Sequence, residues 1–205
     1  PEMSRGLGDV YKRQYVYIQF GFIFAGENIP WTRRNIMLTG KKIVLGVSGG
    51  IAAYKMANVA SMLSKLHADI HVVMTENATH FITPETFEVL TGNHCYTDTF
   101  DRCMELHVPH IALGTQADAI LIAPASADVV GKIANGIADD MLTTCVLPAT
   151  CPVMLAPSMN VHMYENPIVQ DNMKKLASYG YEIIEADEGL SLIHISEPTR
   201  HLRIS

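Results

Sequence analysis

Five stretches of this sequence carry residues whose types and spacing suit chemistry. In KKIVLGVSGGIAAYK, residues 41–55, an apolar run meets Ser48-Gly49-Gly50, and good helix formers follow at once. Unpaired N–H groups at a helix start suit a phosphate, glycines let it approach, and Ser48 adds a hydroxyl. The spacing is neither GxGxxG nor that of a P-loop, which argues against an ordinary dinucleotide or nucleotide triphosphate site. A plain strand-to-helix turn reads equally well. MTENATHFITPE, residues 74–85, offers Thr75, Phe81 and Thr83 to a flat ligand with polar edges, or forms a capped loop over a core phenylalanine. In APASADVV, residues 123–130, Ser126 and Asp128 suit a cofactor contact or a helix cap. In APSMNVHMYENP, residues 156–167, the amide of Asn160 suits a carboxylate or an amide. Met159, Met163 and Tyr164 supply an apolar wall there, or core side chains and a turn-forming Asn explain the same residues. VPHIALGTQAD, residues 108–118, carries His110, which taken alone reads as an ordinary loop histidine.

The elements that must position these residues alternate. Short apolar runs at 43–47, 70–74, 119–123, 153–156 and 181–185 have strand length, and most are rich in Val or Ile. Helical patterns fall at 51–66, 84–90, 126–137 and 167–178. Residues 51–66 set Ile51, Tyr54, Val59, Met62, Leu63 and Leu66 along one stripe. Thr83-Pro84 and Asn166-Pro167 read as capped helix starts, and Gly180 as a stop. Strand–helix alternation predicts a three-layer α/β fold of flavodoxin/Rossmann-like type, a parallel sheet with helices on both faces. Ligands of such sheets bind outside the carboxyl ends of the strands. The exits at 48–50, 75–83, 124–128 and 157–164 are therefore expected along one edge.

Composition narrows the class. A net charge of −6, with Lys and Arg only in short pairs, argues against nucleic acid as the main partner. Cys95, Cys103, Cys145 and Cys151 show no CxxC spacing and no disulfide framework, which fits a reducing, cytoplasmic setting; no pattern of metal ligands stands out. The opening PEMSRGLGDVYKRQ and the closing LIHISEPTRHLRIS resemble translated sequencing-adapter DNA, so both are set aside. Residues 15–36 imitate a signal peptide, yet their basic start lies in the adapter-like string, and Met37 opens a conventional start. Their apolar middle is shorter than the ~20 residues a membrane span needs. The expected organisation is a non-native leader over 1–36, one domain over 37–189, and an adapter-like tail over 190–205.

From Met37 to Gly189 the chain resembles the homo-oligomeric flavin-containing cysteine decarboxylases, and among them the bacterial phosphopantothenoylcysteine decarboxylases of coenzyme A biosynthesis. The likeness runs through GKKIVLGVSGGIAAYK, VVMTENATHFITPETFEVLTG, HIALGTQADAILIAPASAD, KIANGIADDMLTTC and PSMNVHMYENP. Pro157, Met159, Asn160 and Met163 match the family's Pro-x-Met-Asn-x-x-Met pattern. The resemblance implies FMN, with Ser48, Gly49, Gly50, Thr75, Phe81, Thr83, Ser126, Ala127 and Asp128 around it. Asp128 often reads Asn in relatives. It implies His110 as the essential histidine, reaching the flavin site of a neighbouring subunit, and Asn160, Met159 and Met163 at the substrate. It further implies a homotrimer or dodecamer with FMN at the interface, and 4'-phosphopantothenoylcysteine as the small-molecule substrate, with no membrane partner.

The implied chemistry explains the flavin. A cysteine carboxylate has no neighbouring electron sink, and oxidising the thiol-bearing carbon to a thioaldehyde puts C=S β to it, so CO₂ can leave. His110 would act as base or orient the substrate, and Asn160 would hold the carboxylate. Bacterial relatives protonate the product with a cysteine on a flap after the fifth strand. None of the four cysteines here matches it, so poor reduction of the enethiol is expected of this polypeptide. Rival readings of the same fold are a flavin prenyltransferase, against which His110 and Pro157-x-Met159-Asn160 speak, and a peptidyl-cysteine decarboxylase. A non-catalytic flavin-binding subunit is the rival from another class.

Overall fold

Alternation along the first strand sorts its side chains onto two faces, and both are covered. The computed structural model describes residues 38–100 and 108–184. Its strands are β1 (Lys42–Val47), β2 (Asp69–Met74), β3 (Cys95–Tyr96), β4 (Ala119–Ala125), β5 (Val153–Pro157) and β6 (Glu182–Ile183). They form one six-stranded sheet in the order β3-β2-β1-β4-β5-β6, with every pairing parallel. A 3-10 turn at Ile51–Lys55 leads into α1 (Met56–Lys65). There follow α2 (Glu76–Thr79), α3 (Pro84–Thr91), α4 (Pro109–Gln116), α5 (Ala127–Ala134), α6 (Met141–Val146), α7 (Val161–Tyr164) and α8 (Pro167–Ser178).

On one face Ile43, Leu45, Val47 and Leu121 meet Ala53, Met56, Leu63 and Phe87, so the 3-10 turn, α1 and α3 cover it. On the other, Val44, Ile120, Ile122 and Leu155 meet Leu113, Val130, Leu142 and Leu176, so α4, α5, α6 and α8 cover it. Each such fully buried aliphatic side chain contributes roughly 1.5–3 kcal/mol. Gly46 lets α6 close on the sheet, because a Cβ there would lie 2.5 Å from Leu142 Cδ1. The three-layer α/β expectation is met. The strand order reverses between β1 and β4, which opens a crevice at their carboxyl ends.

Several expectations need correction. Residues 51–66 do not form one helix with one stripe, since the first turn is 3-10 and Ile51 and Tyr54 are exposed. The buried set is Ala52, Ala53, Met56, Val59, Ala60 and Leu63, which shows that small alanines, not the larger Ile51 and Tyr54, make the close approach to the sheet. The helix expected over 126–137 stops at Ala134. A second helix, α6, starts beyond it with a capping box in which Asp140 Oδ1 accepts from Thr143 N at 2.8 Å. His110 lies in α4, not in a loop, and Pro109 at its first position marks the start. The two-residue β3 was not expected; so short an edge strand leaves little periodicity to read. Residues 1–37, 101–107 and 185–205 lie outside the described residues, and with them the leader, the tail and Cys103.

Candidate active site at the carboxyl edge

The four strand exits meet at one edge, and hydrogen bonds lace them in order. Thr75 N donates to Val47 O at 3.0 Å, continuing the pairing of β2 with β1. Ser48 Oγ donates to Pro124 O at 2.7 Å and accepts from Ser126 N at 2.8 Å. Ser158 N donates to Ala125 O at 2.9 Å. Gly49 lets the second exit close on the first, because a Cβ there would lie 2.5 Å from Asn77 Cβ.

Gly50 is different. Its φ of 171° is extended backbone open to any residue, and a Cβ there would meet nothing within 4 Å. Neither backbone nor packing among the described residues requires glycine there, and the space beside it is open. Among the described residues, the N–H groups of Gly49 and Gly50 make no backbone hydrogen bond. Beside them Thr75 is 7 % exposed, and its Oγ1 has no partner among the described residues. A buried hydroxyl left unpaired costs about 1–3 kcal/mol, which a ligand acceptor would recover. The turn, the open space and the orphan hydroxyl fit a polar ligand that carries an anionic group.

The Ser48 hydroxyl is engaged within the protein. The residue is fully buried, and its single hydroxyl hydrogen goes to Pro124 O. Ser126 caps α5, its Oγ accepting from Val129 N at 3.4 Å, and Ala127 follows it half-buried. Asp128 is exposed and pairs with Lys132 at 3.3 Å. Lys132 also reaches Asp139 at 3.0 Å and Asp140 at 3.4 Å. Desolvation works to lower the Lys132 pKa, but these carboxylates outweigh it and hold the ammonium above its ordinary value. That hub was not foreseen, because its acids are four, seven and eight residues from Lys132 and only α6 folds the last two back.

Phe81 is exposed at the second exit, and Thr83 caps α3 without a side-chain bond to the helix backbone. At the fourth exit Asn160 is exposed and caps α7, its Oδ1 accepting from His162 N at 2.9 Å. The oxygen is thus engaged, and the NH₂ group of this exposed residue is the donor that would suit a carboxylate. Met163 and Tyr164 are exposed beside it, and Met159 is buried.

α4 runs against the strands and ends near Asp118, whose N–H meets Lys42 O at the amino edge. His110 at its start therefore lies toward the carboxyl edge, on the face opposite the 3-10 turn. Its Nδ1 is buried with no partner among the described residues. The described cysteines take no part. Burial pushes the thiols of Cys95 and Cys145 up to about 12 and raises Cys151, which sits at the opposite edge just before β5.

This fold and edge define an α/β protein with a ligand crevice at the switch point, and the comparisons give its family. The chain belongs to the Flavoprotein family, whose model matches residues 32–200. It is 49% identical over 153 residues to the coenzyme A biosynthesis bifunctional protein CoaBC of Bacillus subtilis. That match covers 75% of this chain and 38% of the bifunctional protein, so the chain spans well under half of its relative. Among solved structures it is similar to the FMN-dependent cysteine decarboxylase SpaF, with a TM-score of 0.69 and 38% identity over 74% of this chain and 87% of that one. It is also similar to a Cys-to-Ser variant of PPC decarboxylase complexed with pantothenoylaminoethenethiol. There the TM-score is 0.64 and the identity 30%, over 71% of this chain and 82% of that one.

Proposed function

We propose that this chain is an FMN-dependent decarboxylase acting on 4'-phosphopantothenoylcysteine in coenzyme A biosynthesis. The observation that carries the reading is the carboxyl edge itself: among the described residues, an open space at Gly50 and an unpaired Thr75 hydroxyl lie beside the glycine turn. The flavin-dependent decarboxylases among its neighbours and its likeness to the bifunctional coenzyme A protein support it.

FMN, when bound, supplies the two-electron oxidation that gives the substrate's carboxylate an electron sink. The protein does the rest. The N–H groups of Gly49 and Gly50 and the Thr75 hydroxyl hold the cofactor's polar groups, while Phe81, Thr83, Ser126, Ala127 and Asp128 border it. The NH₂ of Asn160 orients the carboxylate, with Met163 and Tyr164 excluding water beside it. His110 takes or returns a proton through its ring.

The working assembly is a homo-oligomer with the cofactor at the subunit interface, in the cytoplasm. Two observations support the interface. His110 and the 3-10 turn flank opposite faces of the sheet, and the edge exposes Ile51, Tyr54, Phe81, Val161 and Met163 together. Among the described residues no helix is long and apolar enough to cross a membrane.

The test is mass spectrometry of the products formed by the FMN-loaded chain from 4'-phosphopantothenoylcysteine and, separately, from a peptide ending in cysteine. Loss of CO₂ from the first alone is expected. Turnover of the peptide alone would move the reading to a peptidyl-cysteine decarboxylase.

A further inference from the structure

The bonds around Ser48 are those of a sheet rung with one atom exchanged. In a parallel ladder a residue donates its N–H to the residue before its partner and accepts, through its own C=O, from the residue after it. Ser48 N donates to Pro124 O at 3.2 Å, the first half of a rung opposite Ala125. The second half comes from the side chain: Ser126 N donates to Ser48 Oγ at 2.8 Å, not to the Ser48 carbonyl. The register supports this, since β4 carries a one-residue irregularity between Ile122 and Ala125. The regular pairing of β1 with β4 ends at Gly46 and Ile122.

We infer that Ser48 is a positioning residue whose hydroxyl stands in for its own carbonyl in the last rung between β1 and β4, and so releases the Gly49-Gly50 backbone to face the ligand. With the turn in place, a residue without a hydroxyl at this buried position leaves the Ser126 N–H unpaired. Ser48 thus acts on the ligand through the loops it joins. The inference rests on the flavin reading above only for the identity of that ligand.

Two measurements on the full chain test it. Amide hydrogen exchange of the ligand-free protein reads the rung directly, and flavin fluorescence quenching reads FMN affinity. In Ser48→Ala the Ser126 amide should exchange about tenfold faster, and FMN should bind about tenfold more weakly, matching one lost hydrogen bond. Ser126→Pro deletes the same donor at a φ of −72° that proline accepts and loses the α5 cap as well, so added to Ser48→Ala it should cost no more than the cap alone, as Ser126→Ala does. Ser126→Ala keeps the N–H and should add its own cost in full. Unchanged exchange at Ser126 in Ser48→Ala overturns the inference, and does so most sharply if FMN still binds weakly, since the hydroxyl would then act on the ligand itself. Additive losses in Ser48→Ala/Ser126→Pro also overturn it. A wild-type chain that takes up no FMN removes the flavin reading, while exchange in the ligand-free protein still decides whether the rung exists.

Discussion

The two edges of the sheet are built on opposite terms. At the amino edge the polar groups satisfy one another: Asp118 accepts from Lys41 Nζ and from Lys42 N, both at 2.8 Å, and Lys42 Nζ reaches Gln116 at 3.1 Å. At the carboxyl edge the backbone is laced as firmly, yet among the described residues Thr75 Oγ1 has no partner and no atom lies within 4 Å of a Cβ placed on Gly50. His110 Nδ1 is unpaired toward the same edge. The contrast is not absolute, because His71 Nδ1 on β2 is also buried and unpaired, though the other ring nitrogen lies 3.2 Å from Asp69. One edge uses its polar groups to hold strands in register, and the other leaves some unpaired, which is what the proposed ligand site requires.

Five substitutions would break or sharpen this division. The largest effect belongs to His110→Asn. Turnover should fall by about 10²–10⁴-fold while FMN stays bound, because a positioned acid or base contributes on that order. Wild-type rates in that variant would remove His110 from the chemistry.

Next come the two glycines of the turn. Gly50→Ala should leave the melting temperature of the ligand-free chain nearly unchanged and weaken FMN by about tenfold or more, since the added methyl enters the space meant for the ligand. Gly49→Ala should lower the melting temperature instead, through its clash with Asn77, with a cost of about 1–3 kcal/mol. Thermal denaturation alongside fluorescence titration separates them. Equal behaviour of the two variants would erase the distinction between packing glycine and ligand glycine.

Thr75→Val should move two quantities in opposite directions. Removing an unpaired buried hydroxyl leaves the ligand-free protein equally or more stable, whereas FMN should bind about three- to tenfold more weakly. A loss of stability without FMN would mean that Thr75 has a partner inside the protein.

The smallest effect lies at the other edge. The Lys41 and Lys42 hydrogen bonds hold the Asp118 carboxyl below its ordinary value of 3.8. A depressed carboxylate stabilises the fold above its unfolded pKa, and that contribution is lost as pH falls through the folded pKa. Asp118→Asn should therefore lower stability modestly at neutral pH, and the gap from wild type should close in acid. FMN affinity should not change. Urea denaturation at several pH values reads the first, and fluorescence titration the second.

Much of this architecture is legible in the sequence for simple reasons. Runs such as AILIA at 119–123 are buried on both faces, so their apolar character is continuous, and capped starts at Pro84 and Pro167 announce their helices. The exits could be located because parallel strands force them to one edge. What sequence missed was cooperative. No local pattern shows that the Ser48 hydroxyl is consumed 76 residues away at Pro124, or that Met159 is buried while Met163 stays exposed. The Lys132 hub needs the turn into α6 to exist. The cofactor residues were named by resemblance, and the geometry shows that the hydroxyl of one of them, Ser48, is engaged within the protein.

The visible absorption spectrum of the purified chain, freed of small molecules and then titrated with FMN, bears most directly on the central claim. The account predicts flavin bands perturbed by binding and saturating near one FMN per chain. A folded, colourless protein that takes up no FMN would contradict it, and would leave the carboxyl edge with a different ligand.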